Sequence, residues 1–122
     1  MNILLVDDSK DILDLVGFIV EKEGHNVMVA SCGKEALEAY AKIKPDFIFL
    51  DIKMPDMTGI EVLQKIRQVD KNTAVVILTA FGDEGLMKEA ESLGVAGFIH
   101  KGREVGFVSE SVRAILKRYK KD

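Results

Sequence analysis

Apolar residues gather in five short runs: Ile3 to Val6, Val27 to Ala30, Phe47 to Leu50, Ala74 to Leu78 and Gly97 to Ile99. Each is too short for a helix and mostly apolar on both faces, the pattern of strands in a parallel sheet covered on both sides. Between these runs the apolar residues recur at helical spacing. Ile12, Leu15, Val16, Ile19 and Val20 form one stripe, with Ser9 as N-cap and Gly24 as stop, which predicts a helix over about residues 10–23. Ala36, Leu37, Tyr40 and Ala41 mark a second helix, ended by Pro45, which disfavours an α conformation at Lys44. Thr58 and Glu61 have the separation of a capping box and open a third helix whose inner face is Val62, Leu63 and Ile66. Asp83 is placed to cap a fourth, carrying Leu86, Met87, Ala90 and Leu93 and closed by Gly94. Val108, Val112, Ile115, Leu116 and Tyr119 predict a fifth, whose basic end complements the helix dipole.

Strand then helix, repeated along the whole chain, implies crossover connections over a parallel sheet. A closed barrel needs about eight such units, so the expected fold class is α/β: five parallel strands, doubly wound, with five helices. In such sheets ligands bind beyond the carboxyl ends of the strands, where the strand order reverses.

With 122 residues, 48% of them hydrophobic, the chain has the size of one domain able to bury a core without disulfides or metals as staples; a single domain over 1–122 is expected. The net charge of -3 supplies no basic field for nucleic acid or anionic lipid. No apolar stretch approaches the roughly 18 residues that span a bilayer, and Asp7 and Asp8 interrupt the apolar N-terminus before it could act as a leader. The single cysteine, Cys32, has no intrachain partner and reads as a small, half-buried residue. A cytoplasmic protein, without membrane insertion or direct nucleic-acid contact, is the expectation.

Acids and their counterparts sit at the predicted strand ends. The first run ends in Asp7 and Asp8, the third in Asp51, the fourth in Thr79, and the fifth leads through His100 to Lys101. Three carboxylates on one sheet edge repel one another and raise each other's pKa, a conflict that a divalent cation relieves. Oxygen-only ligands with room for water suit Mg²⁺, whereas His25, Cys32 and His100 lack the spacing of a zinc site. A cation beside a carboxylate, an ammonium and a hydroxyl is also the equipment of phosphoryl transfer. Asp51, on the expected central strand, is the candidate nucleophile.

The segments "LLVDDS", "FIFLDIKMPDMTG", "VVILTA" and "FIHK", in this order and spacing, resemble the receiver domain of two-component response regulators over the full length of the chain. The resemblance implies a flavodoxin-like strand order 2-1-3-4-5, for which a chemotaxis regulator is a standard example. It implies Asp51 as phosphoacceptor, served by a sensor histidine kinase or a histidine phosphotransfer protein. Mg²⁺ would be held directly by Asp8, mainly through water by Asp7, and by Asp51 and the backbone carbonyl of Lys53. Lys101 and Thr79 would pair with phosphoryl oxygens, and Thr79 and Phe98 would form the switch that alters a surface of helix four, strand five and helix five. Ala80 would leave room beside the phosphoryl group. By the same resemblance the side chains of Lys53 and Phe81 border the path of hydrolytic water and tune dephosphorylation. The output is either a downstream protein target or a fused domain, for a single-domain regulator or an excised receiver respectively.

One stretch departs from the family. Gly102 stands where proline usually follows the lysine in a cis peptide, with Arg103 where an aromatic is common. A cis bond before a non-proline residue costs about 2.5–4 kcal/mol, so a trans Lys101–Gly102 bond is expected, and Gly106 loosens the following helix start. Three other readings compete. An aspartyl-nucleophile phosphatase of the haloacid dehalogenase kind would carry an acid two residues after Asp51, where Lys53 stands. A flavin carrier would carry Ser, Thr and Gly where "VDDSKD" places acids. A pseudo-receiver, acting by interaction without phosphate, would keep the fold alone.

Overall fold

A computed structural model describes residues 1–80 and 82–119. Ten elements alternate along the chain: β1 (Asn2–Val6), α1 (Lys10–Lys22), β2 (Asn26–Ala30), α2 (Gly33–Ile43), β3 (Phe47–Asp51), α3 (Gly59–Val69), β4 (Ala74–Thr79), α4 (Glu84–Ser92), β5 (Gly97–His100) and α5 (Val105–Tyr119). The strands form one sheet in the order β2-β1-β3-β4-β5, with every neighbouring pair parallel. The doubly wound architecture and the strand order are therefore those expected. Each ladder runs one residue or so past its apolar run, because backbone pairing does not require an apolar side chain.

Pleating sorts the strand residues into two cores. Ile3, Leu5, Phe47, Phe49, Val76, Leu78 and Ile99 pack against α1 and α5, through Val16, Ile19 and Val20 on one helix and Val108, Val112 and Leu116 on the other. Leu4, Val6, Ile48, Leu50, Val75 and Ile77 pack against α2, α3 and α4. Burial from both sides makes β1, β3 and β4 almost uninterruptedly apolar. The edge strand β2 differs from the expectation of two covered faces: Val29 is 52% exposed, since an edge strand has only one neighbour and incomplete helix cover.

The expected caps of α1 and α3 form. Ser9 accepts a hydrogen bond from the Ile12 N–H, and Thr58 and Glu61 make both bonds of a capping box. Lys44, ahead of Pro45, closes α2 in the left-handed region at φ 44°, which lets the chain turn sharply into β3. Asp83 departs from expectation: it occupies the N-cap position of α4 but makes no capping hydrogen bond there. Its carboxylate is engaged instead by Ala80 and Lys53. α2 shows the complementary case. Its N-cap, Cys32, makes no side-chain bond, and Asp56 from the β3–α3 connection accepts the N–H groups of Gly33 and Lys34 at 2.8 and 3.0 Å.

The far end of the sheet is tied by Arg67, whose guanidinium donates to the carbonyls of Leu93, Asp70, Thr73 and Gly94. This joins the ends of α3 and α4 to the start of β4. Asp70 also accepts from Tyr40, Asn72 and Thr73. The Thr73 and Tyr40 hydroxyls are the main cause of its carboxyl lying far below the ordinary value, while burial and that same acid push Tyr40 up to about 12.

Candidate functional site

Successive residues of a strand face opposite sides, so the phase of each core fixes where the next residue points. Asp7 and Asp51 follow Ile3, Leu5, Phe47 and Phe49 toward the α1/α5 side, and Lys101 follows Ile99 there. Three residues distant in sequence thus converge at the carboxyl end of the sheet. Thr79 and Phe98 hold the opposite phase with Ile77, to which Phe98 is paired in register.

The Lys101 ammonium lies 2.9 Å from Asp7 Oδ2 and 2.9 Å from Asp51 Oδ1, with the two acid side chains 0% and 1% exposed. One carboxylate oxygen from each of Asp7, Asp8 and Asp51 can be chosen so that all lie within 4.8 Å of one another. Asp8 is exposed and opens this cluster to solvent. Both oxygens of Asp7 have donors, since the Ser9 N–H reaches Oδ1 at 2.8 Å. Asp51 differs: Oδ1 meets Lys101 and the Lys53 N–H, the latter at 3.3 Å, while Oδ2 is buried without a hydrogen-bond partner among the described residues. A buried, unmatched carboxylate oxygen is costly, and on a carboxylate clustered with two further acids it fits a hard cation.

The electrostatics agree with that imbalance. Burial is the main cause that pushes Asp51 up to about 6, reinforced by the Asp7 charge and opposed by Lys101. Burial by itself would lower Lys101, but hydrogen bonds to Asp51 and Asp7 outweigh it and leave the ammonium above its ordinary value. The ammonium therefore stays charged throughout the range in which Asp51 titrates.

The remaining residues singled out in the sequence surround this centre. Thr79 is buried at the end of β4, and its carbonyl accepts the Lys101 N–H at 2.9 Å. Phe98 is half-buried against the α2–α4 core. Among the described residues no peptide bond is cis, so Lys101–Gly102 is trans as expected. Phe81 lies outside the described residues. Lys53 turns its side chain away toward Asp83, with its ammonium 3.0 Å from that carboxylate. Gly59 is required by close packing: a Cβ there would fall 2.2 Å from the Asp51 carbonyl oxygen.

Sequence reasoning missed Asp83 and Asp56 as residues that hold the loops around the site. Cys32 carried the one available signal for Asp56, because a residue without a strong acceptor at an N-cap implies an acceptor from elsewhere. No helix of the described residues is long and apolar enough to cross a membrane.

The family model of the response regulator receiver domain matches residues 3–113. The chain is 34% identical over 115 residues to the sporulation initiation phosphotransferase F of Bacillus subtilis, covering 94% of this chain and 93% of that protein. It is 39% identical over 119 residues to the chemotaxis protein CheY of Treponema pallidum, covering 95% and 83%. Among solved structures, the chemotaxis response regulator CheY4 of Vibrio cholerae superposes with a TM-score of 0.85 at 30% identity over 98% of both chains. The receiver domain of NtrX from Brucella abortus does so with a TM-score of 0.85 at 30% identity over 95% of both. On the strength of this match and of the fold that accompanies it, the chain belongs to the response-regulator receiver domain family of two-component signalling.

Proposed function

We propose that residues 1–122 act as a single phosphoacceptor switch in the cytoplasm, charged at Asp51 by a phosphohistidine on a sensor histidine kinase or histidine phosphotransfer protein. The observation that carries this reading is the Asp51 carboxylate: buried, paired with Lys101, flanked by two acids, and with Oδ2 lacking a donor. In the reaction an Asp51 oxygen attacks phosphorus and the P–N bond breaks. The imidazole leaves with the electron pair and takes up a proton.

Mg²⁺ would be held by Asp8, Asp51 and the Lys53 carbonyl, and through water by Asp7, whose oxygens already have protein donors. When bound it supplies charge neutralisation on the transferring oxygens. Lys101 orients Asp51 and offers its ammonium to a phosphoryl oxygen. The Thr79 hydroxyl would take another. Thr79 and Phe98 share one face of the sheet on adjacent strands, so a movement of the first changes the packing of the second. That supports transmission to the surface of α4, β5 and α5, where a downstream protein or fused output domain would bind.

Incubation of the full chain with Mg²⁺ and acetyl phosphate is expected to add one phosphoryl group, read by intact-protein mass spectrometry and lost on chelation of the metal before the donor is supplied. Absence of the added mass would favour a pseudo-receiver that acts by interaction alone.

A further inference from the structure

The β3–α3 connection leaves directly from Asp51 and the β4–α4 connection from the neighbouring strand, and one buried carboxylate joins them. Asp83, with a side chain only 1% exposed, accepts the Ala80 N–H on Oδ2 at 2.8 Å and meets the Lys53 ammonium through Oδ1 at 3.0 Å. Lys53 lies two residues after Asp51, to which its N–H donates, and Ala80 follows Thr79 directly. Both loops are thus tied to one acid.

The acid has given up an easier role. At an N-cap, aspartate ordinarily serves the first amides of its own helix, whereas Asp83 makes no such bond. A carboxylate this buried needs a counter-charge. Lys53 provides it from a side chain 64% exposed. Left loose, that ammonium would no longer tie the residue beside the acceptor to the connection that follows Thr79.

We propose that Asp83 is a positioning residue for the phosphoacceptor: it clasps Lys53, two residues after Asp51, to the connection that begins at Ala80, and thereby slows hydrolysis of the aspartyl phosphate. In that hydrolysis a water oxygen attacks phosphorus, the bond from phosphorus to the Asp51 oxygen breaks, and the carboxylate leaves with the electron pair, while the protons of the water pass to the released phosphate and to solvent. The inference rests on Asp51 as the acceptor, and its test separates the two.

The full chain and its Lys53→Met, Asp83→Asn, double and Lys53→Arg variants are phosphorylated with Mg²⁺ and acetyl phosphate. The donor is removed, and loss of the phosphoryl mass is followed. Each of the first two variants is expected to speed decay about fivefold, equivalent to about 1 kcal/mol. The double variant should be no faster than either single one, because both break the same contact. Lys53→Arg, which keeps a cation for Asp83, should decay near the wild-type rate. Additive effects, or unchanged decay in Lys53→Met, overturn the clasp while leaving Asp51 as acceptor. If Asp83→Asn does not fold, the contrast between Lys53→Met and Lys53→Arg decides, and equal rates in those two overturn the proposal. No phosphoryl mass on the wild-type chain overturns the acceptor reading and the clasp with it.

Discussion

Asp51→Asn is expected to abolish incorporation of phosphoryl from acetyl phosphate while making the fold more stable at neutral pH. The amide is no nucleophile at phosphorus, so intact-mass measurement should show no addition even with excess Mg²⁺ and donor; any retained addition would place the acceptor elsewhere. The stability gain follows from linkage. Burial pushes the Asp51 carboxyl up to about 6 from an ordinary value of 3.8. The unfolded chain thus releases this proton more readily than the folded one does. Stability associated with the protonated acid is present below the ordinary value and is lost as pH rises through about 6. At pH 7.5 the wild type bears that cost, on the order of 2 kcal/mol, and Asp51→Asn does not. Urea unfolding at pH 4.5 and pH 7.5 should show the two proteins converging at the lower value and separating at the higher one. Asp70 does not confuse this window, because its depressed carboxyl loses stability only at still lower pH.

Lys101→Met should do the opposite. Two acids, one fully buried and the other nearly so, lose their shared ammonium, and removing one partner from a buried ion pair typically costs about 3–5 kcal/mol. Mg²⁺ should restore more stability to this variant than to the wild type, because a cation in the acidic cluster replaces the missing charge and binding to the folded state stabilises it. Thermal unfolding with and without millimolar Mg²⁺ provides the measurement. A variant as stable as wild type and indifferent to Mg²⁺ would mean that Lys101 does not hold the acids in place. Adding Asp51→Asn to Lys101→Met should recover part of the loss, since one of the two stranded charges is then removed.

These effects depend on residues that were readable from sequence because each closes an apolar run. Phe47 to Leu50 have to be a buried strand, and the acid that follows has to emerge at its end; Asp7 and Lys101 obey the same logic. Strand phase then sets Asp7, Asp51 and Lys101 on one side and Thr79 and Phe98 on the other. The roles of Asp83 and Asp56 were not readable. Local spacing offered Asp83 the amides of α4, and only the paths of two loops bring Ala80 and Lys53 within its reach. Asp56 serves a helix that begins 23 residues earlier in the chain, and beyond the weak acceptor at Cys32 its acceptance of backbone N–H groups leaves no side-chain pattern to read. The resemblance implied a place for Lys53 beside the path of water, but its buried partner was hidden. The edge position of β2 follows from strand order, which the apolar runs alone do not specify.

The external cap on α2 has a consequence for solution measurements. The N–H groups of Gly33 and Lys34 are held by Asp56, which belongs to the same connection as Lys53. Their exchange with deuterated solvent is therefore limited by undocking of that connection and not by fraying of the helix. Two amides some distance from Asp51 become a built-in gauge of how often the loop beside the acceptor lets go.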